Sequence, residues 1–140
     1  MVSQVVQLLR DLIALPSVNA AFLPPGDARA GEVKVADYLA KRAARARLDI
    51  ECQPVAPGRD NLIVRLQPLG QARHRILLAP HLDTVGGDDP KIYRPIKKGN
   101  KLHGRGACDT KGSVAAMFQA LENMASRKKR PSETEIVFVG

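Results

Sequence analysis

Segments of helical periodicity alternate along this chain with short apolar runs, and that interleaving constrains the fold more than any other feature. Val2, Val5, Leu8, Leu9, Leu12 and Ile13 recur at helical spacing until Pro16 provides a stop. After a loop containing LPPGD, residues 31–47 (GEVKVADYLAKRAARAR) place Val33, Ala36, Leu39, Ala40 and Ala43 on one stripe, with the basic residues mostly outside it. Residues 48–55 (LDIECQPV), 61–67 (NLIVRLQ) and 74–80 (HRILLAP) read as strands, separated by the turn-forming APGRD and PLGQ. Residues 86–108 read as an irregular excursion with a short hairpin at IKKGNKLH. The chain then returns to helix over 109–129, with Val114, Met117, Phe118, Leu121 and Met124 facing a core, and closes on a strand at 133–140 (ETEIVFVG). Helices mixed among apolar strands predict an open α/β sheet covered on both faces.

Composition narrows the function classes. With 140 residues, 44% of them hydrophobic and 26% charged, the chain is long enough for one domain and one core. No apolar run approaches the length of about 20 residues that spans a bilayer. Arg10 and Asp11 interrupt the N-terminal stretch before it reads as a secretory signal, so the expected address is the cytoplasm, with no membrane partner. Cys52 and Cys108 match no zinc ribbon and read as free thiols. The net charge of +8 lies largely in KRAARAR (41–47) and SRKKR (126–130). Cations at helix ends meet the partial negative charge of the terminus, which accounts for both clusters as solvated helix ends. A weaker alternative is attraction of anionic substrates. Tryptophan is absent and aromatics are 4%, which speaks against base-stacking folds, and no nucleic-acid partner is expected.

In open α/β sheets ligands gather beyond the carboxyl ends of the strands. The segment LLAPHLDTV (77–85) puts His81 and Asp83 where a strand exits. Side chains two apart in extended chain point the same way, so both groups can share one side of that exit. Imidazole nitrogen is a good zinc ligand, and a neighbouring carboxylate can bind metal or hold the ring in one tautomer. Alone, the pair reads as readily as a surface turn capped by Asp83 and Thr84. A second segment, GRGACDTKG (104–112), sets Gly104, Gly106 and Gly112 around Asp109 just before the amphipathic helix, so the backbone can approach something closely there. Asp109 alone reads as a helix N-cap. The segment lacks the last glycine of the dinucleotide fingerprint and inverts the order after the Walker glycines, which removes both nucleotide readings.

Taken together and in order, LPSVN, GEVKVADYLA, DNLIVRL, LLAPHLDTV and GRGACDTKGSVAAM resemble the N-terminal part of the metallopeptidase family that includes acetylornithine deacetylase, succinyl-diaminopimelate desuccinylase, aminoacylase and glutamate-releasing carboxypeptidases. The resemblance covers nearly the whole chain. It implies a three-layer α/β/α fold with a central mixed sheet, zinc-peptidase-like and truncated. It also implies an amide hydrolase with two zinc ions, or cobalt, acting on N-acylated amino acids or small peptides. His81 would be ligand to one metal, Asp109 would bridge both, and Asp83 would be the catalytic aspartate that orients His81. The family often has a cis peptide after its bridging aspartate, here Asp109–Thr110. Its homodimers form through an inserted domain.

The family's general base and adjoining metal ligand are consecutive glutamates after a strand corresponding to TEIVFVG, and the sequence reaches Gly140 without them. A further acidic ligand and a distal histidine also lack counterparts. Residues 1–140 are therefore expected to be the first part of a split catalytic domain, without the inserted dimerisation domain and closing half, and inactive alone. Acetylornithine deacetylase-like activity is the narrowest reading; a dipeptidase or carboxypeptidase, or a noncatalytic binding fragment, are the alternatives. Cys108 is expected to be a small buried thiol, His74 and His103 surface caps, and Lys111 a solvent-facing lysine in the first helical turn.

Overall fold

The computed structural model describes residues 3–125 and 130–140, so Val2 and most of the basic run 126–130 lie outside the described residues. Three helices form where periodicity places them: α1 (Gln4–Ile13), α2 (Val33–Arg45) and α3 (Lys111–Ala125). Helix α1 buries Leu8, Leu12 and Ile13. Helix α2 corrects the expected stripe, because Val35, Leu39 and Ala43 are buried while Val33 is 50% exposed. Positions four apart follow one line down a helix, and Val33 lies about 200° around the axis from Val35.

The strands β1 (Asp49–Ala56), β2 (Arg59–Leu66), β3 (His74–Leu78) and β6 (Thr134–Val139) form one mixed sheet in the order β1-β2-β6-β3. β1 with β2 and β2 with β6 are antiparallel, whereas β3 and β6 are parallel and joined across α3, as a parallel pair requires. The excursion between β3 and α3 contains a single 3-10 turn (Pro90–Tyr93) and the expected hairpin, β4 (Ile96–Lys98) with β5 (Lys101–His103). No helix among the described residues is long and apolar enough to cross a membrane.

Pairing of Val64 with Phe138 and of Leu66 with Ile136 puts the even-numbered residues of both central strands on one face. Leu62, Val64, Leu66, Ile136 and Phe138 there join Leu8 and Leu12 of α1, Val35 and Leu39 of α2, and Val114, Phe118 and Leu121 of α3 in a single core. Phe118 and Phe138 meet edge to face with ring centroids 5.2 Å apart, the arrangement aromatic quadrupoles favour. All three helices thus supply one layer. Ile63 and Val137 lie on the opposite face, outside that core, between ion pairs of Arg65 with Glu51 and Arg75 with Glu135. The parallel pair β3 and β6 ends at one edge of the sheet, and the segment 81–84 leaves from that edge.

Candidate metal centre

Three groups from two separate segments of the chain converge beyond the carboxyl end of β3. His81 Nε2 lies 3.0 Å from Asp109 Oδ1, and His81 Nδ1 lies 3.0 Å from Asp83 Oδ1 and 3.1 Å from the Asp83 carbonyl oxygen. Both partners of Nδ1 can only accept, so Nδ1 carries a proton. Nε2 also faces a carboxylate, and a proton shared there completes an imidazolium between two acids. Partial burial pulls the His81 pKa down, but its bonds to Asp109 and Asp83 outweigh that and leave it above the ordinary histidine value. Burial likewise works to raise Asp83, and the bonds it accepts from Asn19 and His81 more than offset it, holding the carboxyl below its usual range.

The strand exit is held by the segment 17–19, part of LPSVN. Thr84 N–H donates to the Ser17 carbonyl at 2.8 Å, Asn19 N–H donates to the Thr84 carbonyl at 2.9 Å, and Ser17 Oγ donates to the Leu82 carbonyl at 2.8 Å. Asn19 Nδ2 donates to Asp83 Oδ2 at 2.8 Å. No reading of the residues singled out Ser17 or Asn19. Their partners lie 64 to 67 positions away, and only the presence of LPSVN in the family resemblance pointed toward them.

Asp109 is presented by the glycine turn, and the Asp109–Thr110 peptide is cis. What approaches the glycines is protein. A Cβ at Gly106, which has φ +75°, would stand 2.7 Å from Thr84 Cγ2, and one at Gly112 would stand 2.6 Å from the Ala107 carbonyl oxygen. Gly112→Ala is therefore expected to lower stability by about 1–3 kcal/mol in thermal unfolding, against the gain of about 1 kcal/mol that alanine brings to an unobstructed helix. An increase in melting temperature would contradict the close approach.

Two expectations on this turn are corrected. Lys111 is not solvent-facing: it is 1% exposed, and its ammonium donates to the carbonyls of Leu12 at 2.8 Å and Leu15 at 2.6 Å, where α1 ends. A helix end leaves carbonyls short of intrahelical partners; here the lysine adds a second donor to the Leu12 carbonyl, which also accepts from Leu15 N–H at 3.2 Å, and reaches the Leu15 carbonyl just past the end. Burial pulls its pKa from 10.5 to about 8. Cys108, expected to be buried, is exposed, as is Cys52, and both are free thiols.

The donor set suits a borderline divalent cation: one imidazole nitrogen and one carboxylate, with the Asp109 side chain 88% exposed and open to further ligands. Two ligands of one tetrahedral zinc lie roughly 3.3 Å apart, close to the 3.0 Å observed between Nε2 and Oδ1. A cation between them would replace the shared proton. Among the described residues no group of three or more His, Cys, Asp and Glu could hold an ion, so these two groups supply part of a shell. Beside them a cleft of about 300 Å³ is lined by Glu32, Arg59, Asn61, His81, Asp83 and Gly140.

Comparison with known proteins accords with this geometry. The family model "Peptidase family M20/M25/M40" matches residues 77–140, which include His81, Asp83 and Asp109. A peptidase M20 domain-containing protein of Schizosaccharomyces pombe is 36% identical over 112 residues, 77% of this chain and 26% of its own length. Acetylornithine deacetylase of Salmonella arizonae is 32% identical over 131 residues, 90% of this chain and 33% of its own. The chain thus spans about a quarter to a third of the length of these curated relatives. Among solved structures, an M20 family metallo-carboxypeptidase from Sulfolobus solfataricus superposes with a TM-score of 0.78 at 15% identity, over 99% of this chain and 30% of that one, a likeness of fold. The match over the strand exit and the glycine turn, together with the two curated relatives, supports the M20 metallopeptidase family for this chain.

Proposed function

We propose that this chain supplies one part of the active site of a metal-dependent amide hydrolase acting on N-acylated amino acids or small peptides, with acetylornithine deacetylase-like chemistry as its narrowest form. The observation that carries the reading is the approach of His81 Nε2 to Asp109 Oδ1 at 3.0 Å, with Asp83 fixing the other ring nitrogen. His81 and Asp109 would hold zinc or cobalt, two ions in the complete site with Asp109 between them. A bound divalent ion would supply Lewis-acid polarisation of the amide carbonyl and a more acidic water. Asp83 keeps the proton on Nδ1, which leaves the Nε2 lone pair directed outward. Arg59, held by Glu32 at 2.6 Å, and Asn61 give the adjoining cleft a polar wall.

In this reading residues 1–140 are the N-terminal part of a split catalytic domain whose general base and remaining ligands are carried elsewhere. The whole enzyme is a cytoplasmic homodimer assembled through an inserted domain. A second reading, a noncatalytic metal-binding fragment, draws support from the two-membered donor set of the described residues. A dipeptidase or carboxypeptidase would use the same centre on a different acyl group. The test is release of free amino acid from N-acetylated amino acids and dipeptides. The 140-residue chain is expected to show no turnover with zinc or cobalt, and the longer protein that carries it metal-dependent turnover that Asp109→Ala abolishes. Hydrolysis that persists in Asp109→Ala or in a chelator would overturn the assignment.

A further inference from the structure

Asn19 sits outside the pair of groups assigned to the metal, yet its side chain is fixed at both ends. Its Oδ1 accepts from Ala21 N–H at 3.0 Å, capping the 3-10 turn Ala20–Phe22, and its Nδ2 donates to Asp83 Oδ2 at 2.8 Å. The orientation of this amide is not arbitrary. An N–H can only donate and an ionised carboxylate can only accept, so the oxygen must face Ala21 and the nitrogen Asp83. The neighbouring backbone contacts, Thr84 N–H to Ser17 and Asn19 N–H to Thr84, do not involve the amide. They keep the two segments together whatever residue 19 carries.

The consequence lies in the division of the Asp83 carboxylate. One oxygen receives Asn19 and the other receives His81 Nδ1 at 3.0 Å, so rotation of the carboxylate to improve one bond breaks the other. We propose that Asn19 is a positioning residue that locks the Asp83 carboxylate in the rotamer presenting Oδ1 to His81, and so selects the imidazole tautomer whose Nε2 faces Asp109. The selection of tautomer stands on the hydrogen bonds alone; its consequence for metal affinity rests on the metal-centre reading above.

A simple turn cap makes a different forecast, and one pair of variants separates the two. Asn19→Asp keeps the acceptor that caps the turn and replaces the Asp83 donor with a second negative oxygen. Asn19→Ala removes both. The two measurements are the ¹⁵N shifts of the His81 ring in the metal-free chain, taken above its pKa, and the affinity for Co²⁺ followed by its visible absorption. In the native chain the ring is expected to be protonated at Nδ1 almost entirely. In both variants the Nδ1-protonated fraction falls, the Asp83 carbonyl 3.1 Å from Nδ1 being the acceptor that stays in place, and cobalt binding weakens by up to about 10-fold, the low end of what losing an outer partner of a ligand costs, since Asn19 acts one step further out through Asp83. Thermal stability falls in Asn19→Ala and stays near native in Asn19→Asp, which shows that the turn is intact while the clamp is gone. If Asn19→Asp retains the native tautomer, the proposal is overturned and Asn19 is a turn cap. If the variants shift the tautomer but the native chain takes up no cobalt, the positioning role stands and the metal-centre reading is the one that fails.

Discussion

Replacement of Lys111 by methionine is expected to lower the melting temperature by roughly 10 °C, the largest stability effect of any single substitution near the site. The aliphatic stem is conserved in length and shape, so the change isolates the ammonium. That group donates to the carbonyls of Leu12 and Leu15; without it Leu12 keeps only the Leu15 N–H at 3.2 Å, and the Leu15 carbonyl loses the ammonium that reaches it. Hydrogen bonds from a charged donor are worth about 1.5–3 kcal/mol each, and the cost of burying an ammonium offsets part of that, leaving a net loss of about 2–3 kcal/mol. The pH dependence supplies an independent check. Burial lowers the folded-state pKa from 10.5 to about 8, so between those values the unfolded chain holds a proton that the folded chain has released. Stability contributed by Lys111 therefore rises with pH through that window and is flat below it, where both states are protonated. The difference in unfolding free energy between the native chain and Lys111→Met should widen from pH 8 toward pH 10. A difference that narrows over that range would show that the charged form is the one the fold prefers.

Lys111 also shows where reading a sequence stops. Periodicity assigns a lysine in a first helical turn to solvent because it scores side-chain polarity, and nothing local announces that two carbonyls await at the end of a helix almost a hundred residues earlier. His81 and Asp83 are legible for the opposite reason. A period of two is a local property of extended chain, and the apolar run before it marks the strand exit. Asp109 is legible through its glycines, although the turn they build is tightened around Thr84, Lys111 and the Ala107 carbonyl rather than around a ligand. Val33 fails by two positions in a helix whose alanines make several stripes nearly equivalent, and the sheet decides for Val35. Asn19 is silent in sequence because an asparagine before a turn has a sufficient local role, and its second bond exists only once 64 intervening residues have folded.

At the centre itself, Asp109→Asn is expected to weaken zinc or cobalt binding by at least about 100-fold, beyond what the loss of an outer partner costs, since it removes a charged ligand and keeps its shape. Two pH trends should accompany the native chain and shrink together in that variant, where Asp83 alone still raises the His81 pKa. A cation that uses Nε2 must expel the proton shared with Asp109, so affinity falls about tenfold for each pH unit below the His81 pKa and levels off above it. Because the two carboxylates hold that pKa above the ordinary 6.5, the plateau begins at higher pH than for a free imidazole. Metal-free stability runs the other way. A histidine whose pKa is raised by folding stabilises the folded chain fully below its unfolded pKa, and that contribution is lost as pH rises through the folded one. Acid therefore favours the empty fold and alkali favours the loaded one, a crossing measurable by thermal unfolding with and without zinc across pH 5.5 to 8.5. Parallel trends in the two states would mean that the proton on His81 and the metal do not compete, and that the cation is held somewhere other than between His81 and Asp109.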